Sequence, residues 1–155
     1  VPRLSFGHDP VLFSLGEYRV AVSICFEDTV SRVIDRFFEI GDDGHDPDVL
    51  VNLSNDGWFH DSSELDMHLA IGVFRAVEHR VPFARAVNTG LSALVDGNGE
   101  IRATLPKSTE GVLSVTVPLD DRRSFYSRTG DWVGLSCLAV TIGLVPLGVI
   151  RKARK

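Results

Sequence analysis

Val20-Ala21-Val22-Ser23-Ile24-Cys25-Phe26-Glu27-Asp28 is an apolar strand that ends in a cysteine, with two carboxylates just behind it. A thiol in that place stands at the end of a buried sheet, where a substrate can reach it. A helix starting after it would lend partial positive charge to a thiolate, and the amide that follows the cysteine can help to bind an oxyanion. This is the mechanical logic of a nucleophile elbow. The competing reading is a buried structural cysteine. Glu27 bears on the choice, because a carboxylate beside a buried strand is costly without a partner or a task. It is also an ordinary residue for a helix start.

Working outward, residues 1–10 hold two prolines and a glycine and read as loop. Val11 to Leu15 is an apolar run, and a Gly16-Glu17 turn joins it to Tyr18–Ile24 as a hairpin. Past the cysteine the period changes. Val30, Val33, Ile34, Phe37 and Phe38 fall at helical spacing, with Asp28 or Thr29 to cap the start and Gly41 to end it. The acidic loop Asp42 to Asp48 lacks EF-hand spacing.

Val49–Leu53 is nearly all apolar, the pattern of a strand buried on both faces. Ser54-Asn55-Asp56-Gly57-Trp58-Phe59 leaves it as a polar turn with two large aromatics. Ser62 or Ser63 can cap a helix running to about Arg80, apolar on more than one face and stopped by Pro82. Strands follow at Phe83–Val87, Leu91–Val95, Ile101–Leu105 and Val112–Val117. Helices interleaved with strands, then hairpins, predict a layered α/β protein with a mixed sheet.

Residues 118–131 are a polar connector. Trp132 to Ile150 then runs for 19 residues without a charge and ends in Arg151-Lys152-Ala153-Arg154-Lys155. At ~1.5 Å per residue this is enough to cross roughly 30 Å of hydrocarbon. An aromatic anchor at one end and a basic stop at the other predict a transmembrane helix over 132–150 and a cytoplasmic tail over 151–155. Pro146 is tolerable in such a helix. The alternative is a buried core helix.

Charge is uneven. The whole chain is -5, but residues 1–150 carry 12 basic against 21 acidic residues, a net of -9, and nothing suggests nucleic acid. Cys25 and Cys137 form no CxxC or ladder pattern, which argues against a disulfide framework or a zinc site. No metal or other cofactor is expected. Lys107, Lys152 and Lys155 are the only lysines, and His60, His68 and His79 are candidates for a base for the thiol. The chain opens at Val1 without methionine or a signal-peptide pattern and reads as the C-terminal portion of a longer protein.

Taken together, Ile24-Cys25-Phe26-Glu27, Leu53 to Phe59, Arg75-Ala76-Val77-Glu78 and Arg85 to Ala93 resemble the nitrilase (carbon–nitrogen hydrolase) superfamily. Within it they are similar to the apolipoprotein N-acyltransferases, whose nitrilase-like domain is followed by a last membrane helix. The resemblance covers about residues 11 to 155. It implies that residues 1–117 are the C-terminal part of a layered α-β-β-α sandwich. It also implies a Glu–Lys–Cys triad in which Cys25 matches the nucleophile and Glu27 a supporting glutamate. The family's base Glu and oxyanion Lys lie N-terminal to the cysteine, where this chain has only Glu17 and no lysine. Asn55, Trp58, Phe59 and Asn88 are placed on the substrate side, although core packing and turn chemistry explain them about as well.

The implied reaction moves an acyl chain from a phospholipid through a Cys25 thioester to the amino group of a lipoprotein diacylglyceryl-cysteine. The implied location is the bacterial inner membrane, with the domain on its outer side. Two other functions fit parts of the chain: a nitrilase-type amidase, and a membrane-anchored module without catalysis.

Overall fold

The computed structural model describes residues 7–39 and 46–153, the last eight of them as backbone. The expected end of the first helix at Gly41, most of the acidic loop after it and the last two residues of the basic tail lie outside the described residues.

The first hairpin forms as its sequence predicts. β1 (Leu12–Leu15) pairs antiparallel with β2 (Tyr18–Ile24), and Gly16 takes φ 64° in the turn between them, a conformation that glycine adopts without steric cost. A 3-10 turn over Cys25–Thr29 separates β2 from α1 (Ser31–Glu39). The helix therefore starts later than the apolar spacing suggests. Asp28 caps nothing, and its side chain is fully buried.

β3 (Val49–Ser54) leads through a 3-10 turn at Asp56–Phe59 to α2 (Glu64–His79). Arg80, at φ 60°, closes that helix with its N–H on the Ala76 carbonyl, two residues before Pro82. β4 (Phe83–Val87), β5 (Ser92–Val95) and β6 (Ile101–Leu105) follow. The connector carries a short α3 (Phe125–Thr129), and α4 spans Trp132–Ala153.

The six strands lie in sequence order. β2, β3 and β4 are parallel, and the flanking pairs are antiparallel. Two successive crossovers of one hand put α1 and α2 on the same face. That face is the core: Ala21, Leu50 and Phe83 from the sheet meet Ile34 and Phe37 of α1 and Leu69 and Ala76 of α2.

The opposite face stays open. Val20, Val22 and Ile24 stand in register with Val49, Val51 and Leu53, and the last two with Ala84 and Ala86. Ile24 is 63% exposed and Leu53 48%. β3 is thus covered on one side only, not on both. α2 also differs from its sequence pattern, since Met67, Phe74 and Val77 face solvent and one face alone is buried. Residues 112–117 alternate as a strand would but join no ladder, because β-propensity has no effect without a neighbour to pair with. Among the described residues no helix is long and apolar enough to cross a membrane; α4 has described side chains only as far as residue 145.

Candidate active site

Cys25 is the first residue after β2 and adopts φ 54°, the left-handed region that a non-glycine residue enters at a cost of about 1–3 kcal/mol. The neighbouring backbone is held on both sides. The Glu27 carboxylate accepts the Ile24 N–H at 2.7 Å, and the Asn52 amide donates to the Cys25 carbonyl at 3.0 Å. The thiol-bearing residue is partly exposed, as a strand-end nucleophile requires.

Beneath it lies a polar cluster inside the apolar layer. Ser23, Asn52 and Arg85 occupy one register row across β2, β3 and β4, and all three are buried. Arg85 donates to Asn52 Oδ1 at 2.7 Å, to Asp56 Oδ2 at 2.6 Å and to Asp28 Oδ2 at 3.4 Å. Arg85 Nη2 also lies 2.8 Å from His68 Nδ1, and His68 Nε2 lies 2.9 Å from Asp28 Oδ1. Burial pushes the Asp56 carboxyl up, but the Ser54 hydroxyl, the Arg85 charge and His68 together hold it below the usual carboxylate range.

The turn after β3 is joined to the same cluster. Asn55 Oδ1 accepts from Gly57 N–H at 3.2 Å and from the Asn88 amide at 2.6 Å, and Asn88 Oδ1 accepts the Asp56 N–H at 3.0 Å. Gly90 is required here, since a Cβ on it would stand 2.3 Å from Asp56 Oδ2. Phe26 stacks on His68 with centroids 4.9 Å apart and meets Phe59 edge-on at 5.4 Å. Trp58 is 77% exposed. An open depression is lined by Leu53, Ser54, Asn55, Ala86, Val87 and Asn88.

The structure therefore links Cys25 and Glu27 through their backbone, brings Asn55 and Asn88 into contact, and sets Phe59 on the ring that follows Cys25. Of the candidate bases, His68 is fully buried with both nitrogens engaged, and His79 lies in a separate cluster with Asp35 at 3.1 Å. Lys107 pairs with Asp66. Asp28, Asn52, Asp56 and Arg85 were not legible as one site. The signal was a polar residue on the core-facing side of each of three apolar strands, Ser23, Asn52 and Arg85, and only the parallel register aligns them.

The carbon-nitrogen hydrolase family matches residues 4–126, and the chain belongs to that family. Among curated proteins, an apolipoprotein N-acyltransferase of Geobacter metallireducens is 37% identical over 89% of this chain and 26% of its own length. One from Shewanella oneidensis is 35% identical over 100% of this chain and 29% of its own length. The chain thus spans about a quarter of the length of these relatives. Among solved structures, a CN-hydrolase superfamily protein from Xanthomonas campestris matches with TM-score 0.63 at 17% identity, over 75% of this chain and 46% of that one. An amidase from Nesterenkonia matches with TM-score 0.53 at 16% identity, over 67% of this chain and 40% of that one. Both likenesses are of fold.

Proposed function

We propose that this chain is the nucleophile-bearing portion of a membrane-bound N-acyltransferase acting on lipoproteins. The observation that carries the reading is Cys25, held in a left-handed conformation at a strand end with its flanks pinned, in a chain 37% identical to an apolipoprotein N-acyltransferase.

The Cys25 thiolate attacks the ester carbonyl carbon of a phospholipid. A C–S bond forms, the ester C–O bond breaks, and the lysophospholipid leaves as its alcohol after taking up a proton. The amino group of a diacylglyceryl-cysteine then attacks the thioester. A C–N bond forms, the C–S bond breaks, and the thiol is restored. The base and the oxyanion cation correspond to the family's Glu and Lys, which lie N-terminal to the nucleophile, so activity belongs to the intact protein. Glu27 serves by fixing the backbone before Cys25. Asn55, Asn88 and Phe59 form the wall of the acyl site, and exposed Trp58 faces the lipid.

α4 fits the membrane anchor. The uncharged run within it, residues 132–150, spans roughly 28 Å at the helical rise, and Val133, Leu135, Leu138, Val140, Ile142, Leu144 and Val145 are all more than half exposed. An apolar helix with such side chains on all sides is stable where its solvent is lipid. We place the α/β layer on the outer side of the bacterial inner membrane and the basic tail in the cytoplasm.

The test is chemical trapping in the intact protein with a labelled phospholipid. Label is expected as a thioester on Cys25 and is lost in Cys25→Ser and Cys25→Ala while the fold persists. Label on another residue, or turnover of simple amides with phospholipid esters untouched, would overturn the reading.

A further inference from the structure

Among the described residues, Asn52 is the member of the buried polar cluster whose side chain hydrogen-bonds the backbone of Cys25. An amide can be turned either way, and the two ends of this one are not equivalent. Arg85 can only donate, so the Asn52 oxygen must face it, at 2.7 Å. The amide nitrogen is thereby committed to the other side, where it donates to the Cys25 carbonyl at 3.0 Å and to Ser23 Oγ at 3.1 Å. Arg85 is in turn fixed by Asp56, Asp28 and His68, every one of them fully buried. The Cys25 peptide stands in a strained conformation that persists only where its surroundings over-determine it.

We propose that Asn52 is a positioning residue for Cys25, its amide oriented by Arg85 so that it clamps the carbonyl of the left-handed cysteine and aims the thiol out of the sheet. This rests on Cys25 being the nucleophile. The role is distinct from acid–base chemistry, because Asn52 touches no reacting atom. It acts through the orientation of the peptide that carries the sulfur. A misplacement of about 1 Å at a reacting group costs on the order of 10²-fold in rate.

Asn52→Asp is the discriminating change in the intact protein. The carboxylate matches the amide in shape and still accepts from Arg85, but it cannot donate to the Cys25 carbonyl. The single-turnover rate of acyl-thioester formation is expected to fall by about 10²-fold with KM for the phospholipid unchanged within about twofold. Should Asn52→Asp fail to fold, Arg85→Lys, which keeps the charge but loses the fork, is expected to lose about 10-fold in the same rate with KM unchanged.

A folded Asn52→Asp or Arg85→Lys that acylates Cys25 at the wild-type rate overturns the proposal. Transfer that survives Cys25→Ala is a different failure. It removes the nucleophile itself, whereas Cys25-dependent acylation indifferent to Asn52 removes only the positioning role.

Discussion

Stacked on Phe38 with centroids 3.9 Å apart and edge-on to Tyr126, His79 is buried and neutral, and burial with the nearby Arg75 charge pushes its pKa down to about 4. The unfolded chain takes up this proton below about 6.5, whereas the folded chain waits until about 4. Stability from this group is therefore complete above pH 6.5 and lost as pH falls to 4, by roughly 3 kcal/mol. Asp35 and Glu78 have the opposite sign. Burial raises both, so protonation in acid favours the folded state. In His79→Phe, which keeps the stacking, the loss of stability between pH 6.5 and 4 should disappear; denaturant unfolding across that range checks it. An acid slope unchanged in the variant would mean that another group controls it. The cluster was not legible beforehand, because nothing local distinguishes a buried histidine from a solvated one.

At the scale of elements, the fit of α2 on the sheet depends on one small residue. A Cβ on Gly72 would meet the Phe83 ring at 2.4 Å, and Phe83 is fully buried in the core. Gly72→Ala gains helix propensity but overpacks this contact, with an expected net loss of about 1–3 kcal/mol. A denaturant midpoint equal to wild type would show that α2 lifts without cost. Apolar spacing identified α2 as a helix and gave its end near Arg80, yet overestimated its burial. Ala70, Phe74 and Val77 are apolar and exposed, and periodicity cannot tell a side covered by a neighbour from one that is not. The elbow shows the same limit. A helix was legible after Cys25, but the 3-10 turn that delivers the cysteine at φ 54° was not.

For the whole molecule, the open face of the sheet and α4 both present apolar surface. The face of β2, β3 and β4 away from α1 and α2 leaves Ile24 and Leu53 exposed. α4 allows a direct test. Leu138→Arg places a charge near the middle of the proposed span and is expected to cost about 2.5–3.5 kcal/mol of insertion. Membrane extraction of the intact protein should then release a larger fraction under alkaline carbonate than wild type; equal retention would show that this helix does not carry the anchoring.

Local sequence is enough for the Val20–Ile24 strand, the cysteine at its end, the helices, the tight turns and the uncharged C-terminal run. These follow from the spacing of apolar residues and from turn chemistry, which act over a few positions. The tertiary structure alone decided that Ser23, Asn52 and Arg85 share a row, that Asp28 and Asp56 reach Arg85 from two different turns, and that the Asn52 amide faces Cys25. Such contacts join residues about 30 to 60 positions apart, and parallel register, which no single segment encodes, brings them together.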